Sequence, residues 1–334
     1  MESSKNVFIT GVNGFIGSHI AQCFSNYGYN LYGLVRNKNK TLRLEGIDIK
    51  LTEGDITMPE TLDRSFQETQ FDIVVHNAGL ASDWGSLDTF RTVNVEGTKN
   101  IAKKAKEAGV KRFVHISSTA IHGFNGTQPI TEDSEIDPPN AYALSKVEAE
   151  RWLFDNPDFN EMEITAIRPG NVFGPKDNTF IDKYLDLLVK GQGGYISSGK
   201  SKTCPTYVEN LAEGIFLAAT HPNAKGQAFI ITDGLDINWR EFTEALCKKL
   251  EVKNPVLSIP YFLGFGVASI METTYSLFGI KNPPPLTRYR IKNGGRYYNF
   301  SIHKAQKMLG FEPKVEFDQA IENTVKWYKE VNQN

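Results

Sequence analysis

The first twenty-seven residues hold the feature that most limits the fold. Val7-Phe8-Ile9 is a short apolar run of strand type, Thr10-Gly11-Val12-Asn13-Gly14-Phe15-Ile16-Gly17 follows, and Ser18 to Tyr27 reads as an amphipathic helix. Glycines at 11, 14 and 17 let the backbone turn tightly, approach a pyrophosphate and pack helix on strand. The helix start offers unpaired N–H groups and the positive end of its dipole to phosphate. A bare structural turn is the plain alternative. The placement between a strand and a helix favours a dinucleotide site built from Gly11, Asn13, Gly14, Phe15, Ile16 and Gly17.

The pattern then alternates. Strands are expected near 6–10, 30–35, 47–52, 72–76, 111–117 and 163–168, with helical stretches between them. This predicts an α/β fold with a doubly wound parallel sheet of Rossmann type and a smaller C-terminal substrate domain. Residues 1–169 and about 206–234 are assigned to the dinucleotide-binding domain. About 170–205 and 235–334 are assigned to the substrate domain. Helices are expected at 180–190 and 207–220, and a strand at 228–232 should join the sheet.

The end of the second strand bears on the cofactor. An NAD site usually offers a carboxylate there for the ribose 2′-hydroxyl. Positions 34 to 40 carry no acid and read Arg36-Asn37-Lys38-Asn39-Lys40 at their end. Cations suit a 2′-phosphate, so NADP(H) is expected in preference to NAD(H), with Arg36 as main contact and Lys40 as a weaker one. An ordinary basic surface loop is the alternative.

Tyr142-Ala143-Leu144-Ser145-Lys146 sets a phenol and an ammonium four residues apart, one turn apart on a helix face. A phenol beside a fixed positive charge suits proton transfer to a carbonyl oxygen or from an alcohol. With 13 tyrosines in the chain such a pair arises easily by chance, and a solvated helix face is the plain reading. The upstream glycine turn selects the chemical one.

Further stretches complete a resemblance. Gly54-Asp55-Ile56, His76-Asn77-Ala78-Gly79, Asn94-Val95-Glu96-Gly97-Thr98-Lys99-Asn100, Ser117-Ser118 and Arg168-Pro169-Gly170-Asn171-Val172-Phe173-Gly174-Pro175 follow in order. Together with Thr10–Gly17 and Tyr142–Lys146, these make the chain similar to extended short-chain dehydrogenases/reductases over nearly its whole length. The stretches His76–Gly85 and Pro283–Tyr289 resemble the 3β-hydroxysteroid dehydrogenase branch, which includes sterol-4-carboxylate 3-dehydrogenases and 2-alkyl-3-oxoalkanoate reductases. The closing Ser301–Pro313 is shared more widely.

The resemblance implies a catalytic Ser118, Tyr142 and Lys146. Ser118 would hydrogen-bond the substrate oxygen, Tyr142 would exchange its proton, and Lys146 would hold the nicotinamide ribose and lower the tyrosine pKa. Ser117 and Thr119 stand one residue either side of Ser118 as fallbacks, with strand-end capping as their plain role. Asn94 is a candidate for a structural or proton-relay role, or simply a helix-start residue. Asp55 and Ile56 would sit at the adenine. Asn77, Ala78 and Gly79 would pass close to the cofactor, with Gly79 replacing a more frequent alanine. Pro169, Asn171 and Val172 would line the nicotinamide side. Ser82, Trp84, Thr119 and His122 are assigned to the substrate side; His122 stands where relatives often have tyrosine.

Bulk properties set limits. The 334 residues, 40% hydrophobic and 23% charged, are ordinary for a globular chain, and a net charge of −2 gives no case for nucleic acid. Cys23, Cys204 and Cys247 fit neither a disulfide framework nor a metal site, and the six histidines show no ligand spacing. A reducing, cytoplasmic setting without a metal is expected. Pro255 to Met271 is uncharged and aromatic, broken by Pro260, Gly264 and Gly266, and too short for a membrane span. It reads either as a core helix of the substrate domain, or as a wall of an apolar pocket or a surface touching membrane. Peripheral membrane contact is compatible with this segment but is not the expectation. Helices near 94–108 and 142–155 are candidates for pairing in a homodimer, or for packing inside one monomer.

The leading reading is an oxidoreductase working on a 3-oxo or 3β-hydroxy group of a small hydrophobic substrate. A nucleotide-sugar epimerase or dehydratase is the second. A 4,6-dehydratase would need acids directly after the active serine, where Thr119-Ala120 stand, and an epimerase normally has an acid where Arg36 lies. A non-catalytic NADP sensor is the third, and the intact Ser-Tyr-Lys set argues against it.

Overall fold

The computed structural model describes residues 5–67, 69–124, 126, 129–159 and 161–332. Its centre is a seven-stranded parallel sheet. The strands are β1 (Asn6–Thr10), β2 (Asn30–Val35), β3 (Ile49–Glu53), β4 (Ile73–His76), β5 (Arg112–Ile116), β6 (Glu163–Pro169) and a last strand, Gln227–Ile231. From β1 the chain builds outward through β2 to β3, then returns to the other side of β1 and adds β4, β5, β6 and Gln227–Ile231 in turn. The order therefore reverses between β1 and β4. Their ends lie together, with Thr10 opposite His76 in the register. Loops leaving the carboxyl ends of strands on either side of such a reversal diverge and leave a crevice.

Side chains alternate across the buried strands. Val7, Ile9, Val114 and Ile116 face one core with helices Phe15–Asn26 and Val208–Thr220. Phe8, Val74 and Phe113 face the other, with helix Gly97–Glu107 and the end of helix Ala141–Asp155. Phe8 stacks on Phe71 at 4.9 Å and tilts against Phe66 at 5.0 Å. Truncating so enclosed a ring costs about 3–5 kcal/mol.

The segments after β6 form short ladders. Asn171–Phe173 pairs with Pro205–Tyr207, Lys202–Thr203 with Ile237–Asn238, and Gly194–Ile196 with Leu257–Ile259. Helices Ile181–Val189, Trp239–Leu250 and Phe317–Asn332 share a further apolar cluster with Phe173 and Tyr207. Asn238 and Glu241 close a reciprocal capping box at the start of Trp239–Leu250.

Two expectations need correction. The third strand begins at Ile49, not 47, because the Ile47 N–H closes a turn onto the Leu44 carbonyl. The apolar stretch after Pro255 is not a core helix. Helix Tyr261–Leu277 buries only Gly264 and Ala268, and Phe262, Leu263, Val267, Ile270 and Leu277 face solvent.

Candidate active site at the strand ends

The glycine turn is fixed by contact rather than by freedom alone. Gly11 has φ +65°, and a Cβ there would lie 2.9 Å from the Ala78 backbone. A Cβ on Gly17 would stand 2.1 Å from the Gly11 carbonyl oxygen, so helix Phe15–Asn26 approaches β1 as only glycine permits. No side chain caps that helix, whose first N–H groups are left for an anion. Asn13 donates to the Lys40 carbonyl at 2.9 Å, which ties the glycine turn to the basic segment after β2. Arg36 and Lys40 are exposed on that segment. These features fit a dinucleotide: a close backbone cradle, an uncapped helix start and cations at the ribose end.

Beneath the crevice runs a polar chain. The Ala78 N–H donates to Thr10 Oγ1 at 3.0 Å, and Asn77 donates to the Gly11 carbonyl at 3.3 Å. Thr10 Oγ1 meets His76 Nδ1 at 2.8 Å, His76 Nε2 meets Thr98 Oγ1 at 3.0 Å, and Thr98 donates to the Asn94 carbonyl at 2.6 Å. Since the Thr98 proton is committed to Asn94, His76 donates from Nε2 and Thr10 donates to Nδ1. Burial, with help from the nearby Lys146 charge, holds His76 neutral, its pKa pushed down to about 3.

Helix Ala141–Asp155 starts at Asn140, whose side chain accepts from the Ala143 N–H at 2.8 Å. Its first turn presents Tyr142, and one turn later Lys146. Lys146 is buried and donates to the Ile116 carbonyl at 2.8 Å. Burial lowers its pKa to about 8. Ser118 caps the short turn after β5, accepting from the Ala120 N–H at 3.1 Å, and its hydroxyl neighbours the Tyr142 phenol. The expectation that the Lys146 charge lowers the tyrosine pKa does not describe this state. Burial raises the phenol above its ordinary value, and the opposing influence is the neighbouring Ser118 hydroxyl.

Asn94 lies inside a π-helical turn, Arg91–Glu96, and does not start a helix. It is buried, donates to Ser145 Oγ at 2.9 Å and grips Leu80 by both backbone groups. A Cβ on Gly79 would lie 3.1 Å from Asn94 Oδ1 and 3.4 Å from Lys146 Nζ. Gly79, Asn94, Ser145 and Lys146 thus converge behind Tyr142.

The other expected residues have the following partners. Ser117 is buried, with an Oγ that finds no partner among the described residues, and Thr119 donates to the Pro169 carbonyl at 3.0 Å, so Ser118 alone of the three meets Tyr142. His122 is turned into a buried cluster, Nδ1 against the Glu135 carbonyl at 3.1 Å and Nε2 against Arg168 at 3.2 Å, and Arg168 is paired with Glu150. Asp55 closes its own turn by accepting from Thr57, and Ile56 packs under Gly97. Asn171 donates to Tyr298 at 2.9 Å and Thr203 at 3.1 Å, and Val172 leans on the sheet core. Ser82 closes a small turn with Trp84.

Asp83 and the cluster around Tyr289 had no assigned role, and Trp84, assigned to the substrate side, lies beside Asp83. Asp83 accepts from Thr287 at 2.6 Å and from Arg290 at 2.7 Å, clamping the loop after β4 to the C-terminal segment. Trp84 donates to the Ile280 carbonyl at 3.2 Å and packs edge-on against Tyr275. Tyr289 packs edge-on to Phe124 at 5.3 Å, and its phenol is held well above its ordinary pKa by burial and by the neighbouring Tyr142. With Phe124, Ile130, Tyr298 and Phe300, it forms an apolar cluster next to the phenol of Tyr142. Asp83 and Thr287 through Tyr289 lie within stretches that carry the family resemblance, but the contact between them joins positions 204 residues apart.

Comparison with known proteins places this geometry. The mouse sterol-4-alpha-carboxylate 3-dehydrogenase, decarboxylating, is 27% identical over 97% of this chain and 91% of its own length. The 2-alkyl-3-oxoalkanoate reductase of Stenotrophomonas maltophilia is 24% identical over 94% and 97%. Among solved structures, gox2253 superposes with a TM-score of 0.83 at 25% identity, covering 99% of both chains. The UDP-glucose 4-epimerase of Thermotoga maritima superposes with a TM-score of 0.80 at 21% identity, covering 98% of this chain and 99% of its own. Residues 7–232, which span the sheet, the glycine turn and the Ser118–Tyr142–Lys146 cluster, match the NAD dependent epimerase/dehydratase family, and the chain is a member of it.

Proposed function

We propose that the protein is an NADP(H)-dependent oxidoreductase that carries a hydride to or from a 3-oxo or 3β-hydroxy group of a hydrophobic, lipid- or steroid-like molecule. The observation that carries the reading is the convergence of Ser118 and the buried Tyr142 phenol with the buried Lys146 one turn along the same helix, beside the Tyr289–Phe124 cluster. Relatives matching over the full length are named sterol dehydrogenases and oxoalkanoate reductases, which supports an enzyme acting on CH–OH/C=O groups. Gly11 to Gly17 would hold the pyrophosphate, Arg36 and Lys40 the 2′-phosphate, and Lys146 the nicotinamide ribose. When bound, the nicotinamide supplies or accepts the hydride.

The protein's own part is to handle charge and proton at the substrate oxygen. Ser118 directs its hydroxyl at that oxygen and stabilises the negative charge that grows there during reduction. Tyr142 keeps its proton, because burial raises its pKa, until the more basic alkoxide draws it away. Asn94, through Ser145 and Leu80, fixes the helix and the loop that frame the exchange. The apolar cluster keeps water from competing for the proton.

Absorbance of NADPH and of NADH is followed in parallel with a 2-alkyl-3-keto acid, a 3-ketosteroid and simple ketones, and UDP-glucose conversion by product analysis. Turnover of a hydrophobic ketone with NADPH, lost in Tyr142→Phe, is the expected result. Interconversion of the sugar nucleotide without net cofactor oxidation would overturn it in favour of an epimerase.

A further inference from the structure

Helix Tyr261–Leu277 is amphipathic in the wrong sense for a surface in water. Its exposed positions, 262, 263, 266, 267, 270, 273, 274, 276 and 277, recur at helical spacing and carry no charge. Phe262, Ile270, Leu277 and the adjoining Phe278 are 70%, 69%, 79% and 77% exposed, with Leu263 and Val267 between them. Of the polar side chains, Ser269 donates to the Phe265 carbonyl and Glu272 pairs with Arg288, while the exposed Thr273 and Thr274 hydroxyls bond back onto their own helix and Ser276 is exposed. A contiguous stripe of this kind marks a surface that meets something apolar.

Charge says what that is. The chain is net negative, yet residues 253–296 hold Lys253, Lys281, Lys292 and Arg296 in addition to Arg288, paired with Glu272, and Arg290, paired with Asp83. The cations bracket the stripe. The Arg296 guanidinium lies over the Tyr261 ring at 4.7 Å at the helix start, and exposed Lys281 follows the helix end. A second copy docking on this face in two-fold symmetry would set one cationic rim against another. An apolar stripe flanked by cations instead matches an anionic bilayer, with side chains among the acyl chains and cations among the headgroups. No helix among the described residues is long and apolar enough to cross a membrane, so the helix would lie in the interface.

We infer that helix Tyr261–Leu277 is a docking surface for anionic lipid bilayers. The surface is bonded to the rim of the active site. Tyr275 packs on Trp84, Ile280 accepts from its indole, and Asp83 in the same loop holds Thr287 and Arg290. Docking sets that rim against the lipid surface. If the substrate is apolar, as proposed above, it enters from there; the docking itself does not depend on that reading.

The test is co-sedimentation of the full chain with vesicles of phosphatidylcholine, alone or mixed with phosphatidylglycerol, at low and high salt. Binding to the mixed vesicles is expected, weakening with salt and at least about tenfold weaker on neutral ones. The triple variant Phe262→Ser/Ile270→Ser/Phe278→Ser should lose about tenfold or more, since it removes the inserted area. Lys253→Gln/Lys281→Gln keeps the apolar stripe, guards against a misfolded triple variant, and should lose about fivefold per cation on mixed vesicles alone. Absence of binding by the native chain, or equal binding by both variants, overturns the proposal. So does a dimer by light scattering that the triple variant dissociates, which would assign the stripe to a second copy. Because the readout is binding, it stands apart from any failure to find a ketone substrate.

Discussion

Asn94 holds Leu80 at both backbone groups, its Oδ1 accepting from the N–H at 2.7 Å and its Nδ2 donating to the carbonyl at 3.1 Å. The same Nδ2 reaches Ser145, which donates in turn to the Tyr142 carbonyl at 2.7 Å. One amide therefore joins the loop after β4 to the helix that carries Tyr142 and Lys146. Asn94→Ala leaves these groups unpaired in a buried setting. It should cost about 1–3 kcal/mol, read as a lower denaturation midpoint at unchanged slope. Turnover should fall by more than cofactor affinity, because the helix and loop lose their common anchor.

Lys146 gives the protein a pH signature. Its ammonium is buried with one carbonyl partner, and its pKa falls from an ordinary 10.5 to about 8. Between those two values the unfolded chain binds the proton that the native state has released, so stability rises with pH across that window and levels off above it. Lys146→Met should abolish the rise and be the more stable protein at neutral pH, by up to about 3 kcal/mol. Chemical denaturation of both proteins at pH 7.5 and pH 10 measures this. Affinity for NADPH should move the other way in the native enzyme, falling above about pH 8 as the cation is lost.

Two glycines separate cofactor geometry from helix propensity. Gly17→Ala puts a methyl 2.1 Å from the Gly11 carbonyl oxygen, so the helix must back away from β1. Severe destabilisation and loss of nicotinamide-nucleotide binding are expected. Gly266 sits in an exposed helix with nothing near its Cβ position. Gly266→Ala should stabilise by about 0.5–1 kcal/mol, as the unfolded chain loses freedom and the helix loses nothing. Thermal melts of the pair decide the matter.

The sheet and its glycine turn were readable because they rest on local rules. Buried parallel strands are short apolar runs, and the turn between β1 and its helix needs glycine where a Cβ meets Ala78 or Gly11. Ser118, Tyr142 and Lys146 were singled out from family spacing, and the fold makes Ser118 a neighbour of Tyr142. What stayed hidden depends on side-chain direction and on distant contacts. The tail stretch containing Thr287 gives no sign that its hydroxyl meets Asp83. Nothing near His122 says that it turns toward Arg168 and away from the crevice. The apolar run after Pro255 has the composition of a core helix. Only packing reveals that its small residues, Gly264 and Ala268, face inward and its large ones outward.

The Asp83 clamp closes the site from the C-terminal side. Asp83 is mostly buried and takes both the Thr287 hydroxyl and the Arg290 guanidinium, while Arg290 also donates to the Pro285 carbonyl at 3.0 Å. Between these two partners lie Arg288 and Tyr289, and the Tyr289 phenol neighbours Tyr142. Asp83→Asn keeps the shape and a hydrogen bond to Thr287 but removes the charge that holds Arg290. Tyr289 should then lose its fixed place. KM for a bulky ketone should rise about tenfold or more while NADPH affinity stays unchanged, because the glycine turn does not touch this clamp. Steady-state kinetics beside a direct NADPH titration separate the two. Equal loss in both would mean that Asp83 supports the cofactor crevice and not the substrate wall.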